Sequence, residues 1–212
     1  MINAARLPRD IITIGASAGG VEALVSLLEG LPATLPASLA VVLHRSPNGT
    51  GYQTRLPQVL GRRSALLVME PEEGEPLVRG AAYIAPRDHH MVLADHSLSL
   101  NRGPKEHRTR PAIDPLFRSA AVLYGPRVVG VLLSGMGADG VSGLIAIKAH
   151  GGLSLVQCPG QAAFPSMPQH AIAEDDVDAI LDVETLAETL TALARGEAIE
   201  DLARTERDPT RR

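Results

Sequence analysis

A turn over residues 15–20 constrains the fold more than any other stretch of the chain. It follows the β-branched run 11–14, which is typical of a buried strand, and precedes a helical apolar pattern over residues 21–31. Its letters, G-A-S-A-G-G, match the G-x-S-x-G pattern that lifts a serine hydroxyl above the edge of a sheet. The flanking glycines are expected to leave room for a carbonyl group beside Ser17. Ser17 is therefore a candidate nucleophile, unless this is a strand-to-helix turn that merely contains serine.

The alternation of apolar runs and helical patterns continues along the chain. Further buried strands are predicted over residues 39–43, 65–69, 127–134, 153–156 and 177–181. Short strands over 81–85, 91–94 and 97–100 are predicted to pair antiparallel. This order predicts an α/β fold: a doubly wound, mostly parallel sheet with helices on both faces and a small antiparallel hairpin region. We expect one domain over residues 10–195, a disordered lead-in over 1–9 and a charged, flexible tail over 196–212.

Composition excludes several classes of function. Aromatic residues make up 2% and the formal net charge is −4, so neither base stacking nor a basic footprint favours nucleic-acid binding. The single cysteine, Cys158, allows no intramolecular disulfide. No apolar run is long enough for membrane insertion and no signal-peptide core is evident, so a cytoplasmic location is expected.

Three chemically complementary residues follow three different predicted strands. Functional groups gather at the carboxyl ends of parallel strands, where Ser17, His44 and Asp139 are all expected. Imidazole can activate a serine, and a carboxylate can orient the imidazole, so the set predicts a catalytic triad. The order Ser, His, Asp disfavours the α/β-hydrolase fold. Taken singly, His44 could bond to backbone and Asp139 could cap the helix that follows it.

Other polar clusters carry weaker signals. His89, His90, His96 and His107 with Glu106 lack ligand spacing, so packing or solvation is expected, with no metal and no cofactor. A locally basic stretch is either a solvated face or a surface that steers acidic partners; it comprises Arg87, Arg102, Lys105, Arg108 and Arg110. A phosphate-binding loop at 15–20 is disfavoured because no lysine follows it.

Several motifs together resemble one enzyme family. They read I-G-A-S-A-G-G from residue 14, V-L-H from 42 and S-G-M-G-A-D-G from 134. Y-I-A-P from 83, H-M from 90, R-P-A-I-D from 110 and F-P-S-M-P from 164 agree in order. Over residues 10–194 the chain resembles the catalytic domain of the CheB chemotaxis receptor methylesterases, without their receiver domain.

The resemblance implies a function and a set of site residues. Ser17, His44 and Asp139 would form the triad, and the backbone around Ala18, Gly19 and Met136 would bind the oxyanion. The family removes methyl groups from glutamate methyl esters on the cytoplasmic helices of chemoreceptors, and some members also deamidate receptor glutamines. Partners would be those helices, and a separate receiver or methyltransferase protein is a further candidate.

Three departures from the family pattern bear on regulation and substrate. The first catalytic strand is expected about ten residues from the start, which leaves no room for an N-terminal receiver domain in this sequence. Ala18 stands where the family often has threonine, and Arg45-Ser46-Pro47 stand where it often has Met-Pro. Two alternatives stay open: a non-catalytic methylesterase-like adaptor in a signalling complex, and the same chemistry on another acyl substrate.

Overall fold

The structure is a computed structural model that describes residues 7–45 and 55–198. Its strands are β1 (Ile11–Ala16), β2 (Ser38–Leu43), β3 (Leu67–Met69), β4 (Glu75–Pro76), β5 (Ala81–Ile84), β6 (His90–Ala94), β7 (Ser97–Asn101), β8 (Val128–Leu132), β9 (Leu153–Gln157) and β10 (Ala179–Leu181). Its helices are α1 (Gly20–Gly30), α2 (Leu56–Gly61), α3 (Ile113–Tyr124), α4 (Val141–Ala149), α5 (Ser166–Glu174) and α6 (Val183–Ala194).

Seven of the strands form one parallel sheet in the order β10-β9-β8-β1-β2-β5-β3. The central strands β1, β2 and β8 are buried along their whole length, which explains their continuous apolar runs. The chain builds outward from β1 in one direction through β2, and later in the other direction through β8. The sheet therefore reverses its order at β1, and ligands of such folds bind at this point beyond the carboxyl ends of the strands.

Two separate apolar cores lie on the two faces of the sheet. One contains Ile12, Ile14 and Ala16 of β1 with the buried faces of α1, α2 and α6. The other contains Ile11 with α3, α4, α5 and the small sheet. The prediction of a doubly wound sheet with helices on both faces is confirmed. None of the helices in the described ranges is long and apolar enough to cross a bilayer.

The small antiparallel sheet is confirmed, but its membership differs from the prediction. It contains β4, β7 and β6, whereas β5 pairs parallel with both β2 and β3 in the main sheet. All four residues of β5 are buried, as expected for an interior strand covered on both faces. The prediction that residues 81–85 pair antiparallel was wrong because an unbroken apolar run does not identify its partner.

The predicted terminal segments fall largely outside the described residues, since 1–6 and 199–212 are not described. Within the described part, Arg9 is tied to the domain. Its N–H donates to the Leu193 carbonyl at 3.0 Å, and its guanidinium donates to the carbonyls of Pro126 and Gly151. The domain boundaries stay a prediction.

Candidate active site

Ser17 lies in the tight turn between β1 and α1. Gly19 stands at the N-cap of α1 with φ of 68°, a left-handed conformation that L side chains rarely adopt. The Ser17 N–H donates to the Ser134 carbonyl at 3.0 Å, which ties the turn to the end of β8. The strand-to-helix turn is therefore as the sequence predicted.

The glycines of this turn serve packing inside the protein. A Cβ on Gly15 would lie 2.5 Å from an Ile113 methyl group, and one on Gly19 would lie 2.8 Å from the Ala163 Cβ. Both positions thus face neighbouring parts of the fold. The expectation that these glycines leave room for a substrate carbonyl was wrong, because the space beside them is already filled by protein atoms.

His44 bridges Ser17 and Asp139. Its Nδ1 lies 3.1 Å from the Ser17 Oγ, and its Nε2 lies 2.7 Å from the Asp139 Oδ2. The side chain is 18% exposed, so the ring is reachable from solvent while held between two partners. A proton on Nε2 donated to the carboxylate leaves Nδ1 as an acceptor for the serine hydroxyl. Serine proteases of the chymotrypsin type use the two ring nitrogens in the opposite order.

Asp139 is 2% exposed, and both of its carboxylate oxygens accept hydrogen bonds. Its Oδ2 also accepts from the Ile113 N–H at 2.8 Å, and its Oδ1 accepts from the Asp114 N–H at 3.0 Å. Burial alone would raise the pKa of Asp139, but the hydrogen bonds from His44 and from these two N–H groups outweigh burial and lower it. A charged carboxylate therefore stands behind the imidazole.

The helix that Asp139 caps is not the one the sequence suggested. Asp139 accepts from the first turn of α3, whereas Asp114 accepts from the Gly140 N–H at 3.1 Å and from the Gly143 N–H at 2.7 Å, at the start of α4. Each helix start is thus stabilised by an aspartate from the other helix start. The interpretation of Asp139 as the cap of the following helix was wrong because tertiary contacts exchanged the two partners.

A second histidine joins this pair of carboxylates. The His107 Nε2 lies 2.9 Å from the Asp114 Oδ2 and 3.8 Å from the Asp139 Oδ1. In the described ranges, these three side chains form the one group of potential metal ligands whose donor atoms all lie within 4.8 Å. Hydrogen bonds to backbone N–H groups and imidazoles already engage both carboxylates. The group is best described as a hydrogen-bonded network.

The backbone N–H groups of Ala18, Gly19 and Met136 have no protein partner among the described residues. The neighbouring N–H groups do have partners: Ser17 donates to the Ser134 carbonyl and Gly20 to the Ser17 carbonyl. Gly135 donates to the Phe164 carbonyl and Gly137 to the Ser166 Oγ. Free N–H groups beside a serine can bind a developing oxyanion. These are the three residues that the resemblance implied, and their role stays a prediction.

Ser134 forms hydrogen bonds with three other segments of the chain, a role that the sequence did not predict. Its buried Oγ donates to the Ala18 carbonyl at 2.8 Å and accepts from the Phe164 N–H at 3.0 Å. The Gln157 Oε1 accepts from the Ser134 N–H at 2.8 Å. Ser134 therefore fixes the turn that carries Ser17 against the loop that precedes α5. Nothing in the spacing pointed to it, since its partners lie more than 20 residues away.

Arg45 braces the same edge of the sheet on the other side. Its buried guanidinium donates to the Ala85 carbonyl and to the Glu70 Oε1, the latter at 2.8 Å, joining the ends of β2, β5 and β3. This departure from the family pattern is thus accommodated within the fold. Ser46 and Pro47, the other departures here, lie outside the described residues.

The basic stretch is not uniform in the structure. Arg110 donates to Asp88 at 2.7 Å and to two backbone carbonyls, so it is committed to holding its loop. Arg102, Lys105 and Arg108 are exposed. The other histidines have local contacts: the rings of His89 and His90 lie against backbone carbonyls and His96 lies against Tyr124.

A cavity of about 190 Å³ lies beside the turn that carries Ser17, where Gly19 and Ser134 line it. Two carboxylates, Glu22 and Glu184, line it, while Ser17 and His44 do not. It is therefore separate from the side chains that could react with an ester.

Comparisons with known proteins show which family the chain belongs to. The family model described as CheB methylesterase matches residues 12–190. A relative from Photorhabdus laumondii, named protein-glutamate methylesterase/protein-glutamine glutaminase, is 39% identical over 194 residues, which cover 89% of this chain and 54% of the relative. A relative of the same type from Anaeromyxobacter dehalogenans is 41% identical over 186 residues, covering 88% and 54%. The chain spans about half the length of these curated relatives.

A solved structure has the same fold. The crystal structure of the Thermotoga maritima CheB methylesterase catalytic domain superposes with a TM-score of 0.81 at 32% sequence identity, covering 87% of this chain and 98% of that one. The resemblance inferred from the motifs is confirmed. The chain belongs to the CheB methylesterase family.

Proposed function

We propose that the protein is a serine hydrolase that removes methyl groups from glutamate γ-methyl esters on chemoreceptors and releases methanol. The observation that carries this proposal is the continuous series of hydrogen bonds from the Ser17 Oγ through the His44 ring to the Asp139 carboxylate. The relatives' names, which combine methylesterase and glutaminase, support the choice of substrate.

In the first half of the reaction, the Ser17 Oγ attacks the ester carbonyl carbon while the His44 Nδ1 takes the hydroxyl proton. The resulting imidazolium keeps its Nε2–H on Asp139, whose negative charge stabilises it. The oxygen of the tetrahedral intermediate binds to the free N–H groups of Ala18, Gly19 and Met136. His44 then protonates the departing methoxide, because this alkoxide is too basic to leave unaided.

In the second half, water attacks the glutamyl ester of Ser17 and His44 takes the proton of the water. Collapse of the second intermediate returns the proton to the serine oxygen and releases the glutamic acid side chain, which gives its remaining proton to water and becomes the carboxylate. A glutamine side chain can follow the same steps with ammonia as the leaving group. Deamidation is therefore a second reaction of the same site.

Exposed apolar side chains beside Ser17 favour a macromolecular substrate. Met136 is 61% exposed, and Phe164 is also exposed on the loop that pairs with Gly135. Exposed apolar groups next to a polar site are typical of protein-binding surfaces. Cytoplasmic helices of a methylated receptor would present both the ester and an apolar contact.

The test is methanol release from receptor membranes that carry radiolabelled methyl groups. The wild-type chain should release labelled methanol, and Ser17→Ala should lower the rate by about 10⁶-fold, the loss seen when a triad serine is removed. Ser97→Ala removes a hydroxyl of β7 that donates to the nearby Ala94 carbonyl, and it should keep the wild-type rate. Equal release by the Ser17 variant would overturn Ser17 as the nucleophile, and no release by the wild-type chain would favour an adaptor.

A further inference from the structure

We propose that His107 is a positioning residue for the triad. As an imidazolium it balances the carboxylate of Asp114, so that His44 is the imidazole that pairs with the carboxylate of Asp139. The inference deepens the proposed function and depends on that function only for its kinetic readout.

The geometry places three groups in one chain behind His44. The His107 Nε2 contacts the Asp114 Oδ2 at 2.9 Å and approaches the Asp139 Oδ1 to 3.8 Å. Both carboxylates are buried, whereas the His107 side chain is 43% exposed. A change of charge at the surface can thus reach the buried partner of the imidazole base through two contacts.

Few other charges face this pair of carboxylates. In the described ranges these are His44 on Asp139 and, on Asp114, the Arg118 Nη1 at 3.8 Å. The Arg118 guanidinium also holds both oxygens of Glu106 at 2.7–2.8 Å, so its charge is shared with another carboxylate. His107 is the basic side chain that contacts Asp114 within hydrogen-bond distance, at 2.9 Å.

Losing the charge of His107 has a defined electrostatic sign. Burial, together with the charge of Asp139, raises the pKa of Asp114, which shows that a second negative charge at this position is costly. Without the charge of His107, the Asp114 carboxylate keeps only the shared charge of Arg118 at 3.8 Å and adds negative potential near His44. This potential favours the protonated imidazole, which cannot accept the serine proton.

Two variants separate charge from hydrogen bonding. His107→Gln keeps a neutral N–H donor near the position of Nε2 and removes the charge, whereas His107→Lys keeps a positive charge. His150→Gln is the matched control, because the exposed His150 ring bonds to the Ala146 carbonyl at the far end of α4. The measurement is an NMR pH titration of the histidine ring resonances in the labelled protein. The resonance that disappears in His44→Gln is assigned to His44.

We expect His107→Gln to move the pH at which the His44 resonance changes upward by about 0.5 unit or more. The acid limb of kcat/KM for an ester substrate should move the same way, lowering the rate on this limb about threefold. His107→Lys and His150→Gln should resemble the wild-type chain. An unchanged His44 profile in His107→Gln, or an equal displacement in His107→Lys, overturns the inference. If the wild-type protein releases no methanol but the His44 titration still moves in His107→Gln, the proposed function is wrong and this inference holds.

Discussion

Replacing Asp139 by asparagine removes a negative charge from the candidate site and converts one of two acceptor atoms into a donor. The Oδ2 accepts from the His44 Nε2 and the Ile113 N–H, and the Oδ1 accepts from the Asp114 N–H. All three neighbours donate, so an asparagine NH₂ group faces a donor in either orientation.

Each orientation has its own cost. With its nitrogen at the Oδ2 position, asparagine pairs with His44 only if the ring moves its proton to Nδ1, which then cannot accept from Ser17. With its nitrogen at the Oδ1 position, the buried Asp114 N–H loses its acceptor, at about 1–3 kcal/mol. The equivalent change in the triad of a chymotrypsin-type protease lowers kcat about 10⁴-fold, which corresponds to about 5.5 kcal/mol of barrier.

The assay is methanol release under saturating substrate, together with thermal unfolding. Asp139→Asn should lower kcat by about 10³- to 10⁴-fold with the fold retained. The matched control is Asp178→Asn, since Asp178 also accepts a backbone N–H, that of Ser154 at 2.8 Å, at the opposite edge of the sheet. The control should lose stability and keep its turnover. A kcat of Asp139→Asn within about tenfold of wild type would refute the reasoning.

Three further substitutions test separate parts of the structure. Ser134→Ala removes the hydroxyl that holds the Ala18 carbonyl and should lower kcat roughly tenfold, with KM changed less; an unaltered kcat in steady-state assays would contradict that role. Gly143→Ala places a methyl group 2.4 Å from a side-chain carbon of α3, so the free energy of unfolding measured with urea should fall by about 1–3 kcal/mol. An unchanged midpoint would mean that α3 and α4 move apart at no cost. Asp10 is buried and its pKa is lowered, because hydrogen bonds from Arg127 and a second arginine outweigh burial. Asp10→Asn should therefore cost about 1–2 kcal/mol at pH 7. The stabilisation by a lowered carboxyl pKa is present above the unfolded pKa of about 3.9 and is lost as the pH falls through the folded pKa. The difference in unfolding free energy between Asp10→Asn and wild type should therefore be smaller in urea titrations at pH 3 than at pH 7. An equal difference at both pH values would count against the ion pair.

The three central residues could be predicted from the sequence because each follows an apolar run. Parallel strands deliver their carboxyl ends to one edge, so Ser17, His44 and Asp139 were expected together without knowledge of any contact. The strand order of the sheet was less accessible. The run at β5 looked like part of a hairpin, since a buried strand carries no mark of which neighbour it pairs with.

The network behind the triad could not be predicted from spacing. Asp114 lies in the first turn of α3, where a carboxylate ordinarily interacts with the positive end of its own helix, and the close approach of α3 and α4 directs it to the start of α4 instead. His107 was expected to be solvated or packed because the histidines lack ligand spacing, whereas its ring contacts Asp114, seven residues away across a turn. Tertiary proximity decided both roles.

The exchange of caps between α3 and α4 couples the stability of the protein to its turnover during sequence evolution. Replacing either aspartate alone weakens the hydrogen bonds at the start of the other helix and also disturbs the base. Mutations that weaken this junction thus reduce folded population and turnover at the same time, so selection for either property preserves both.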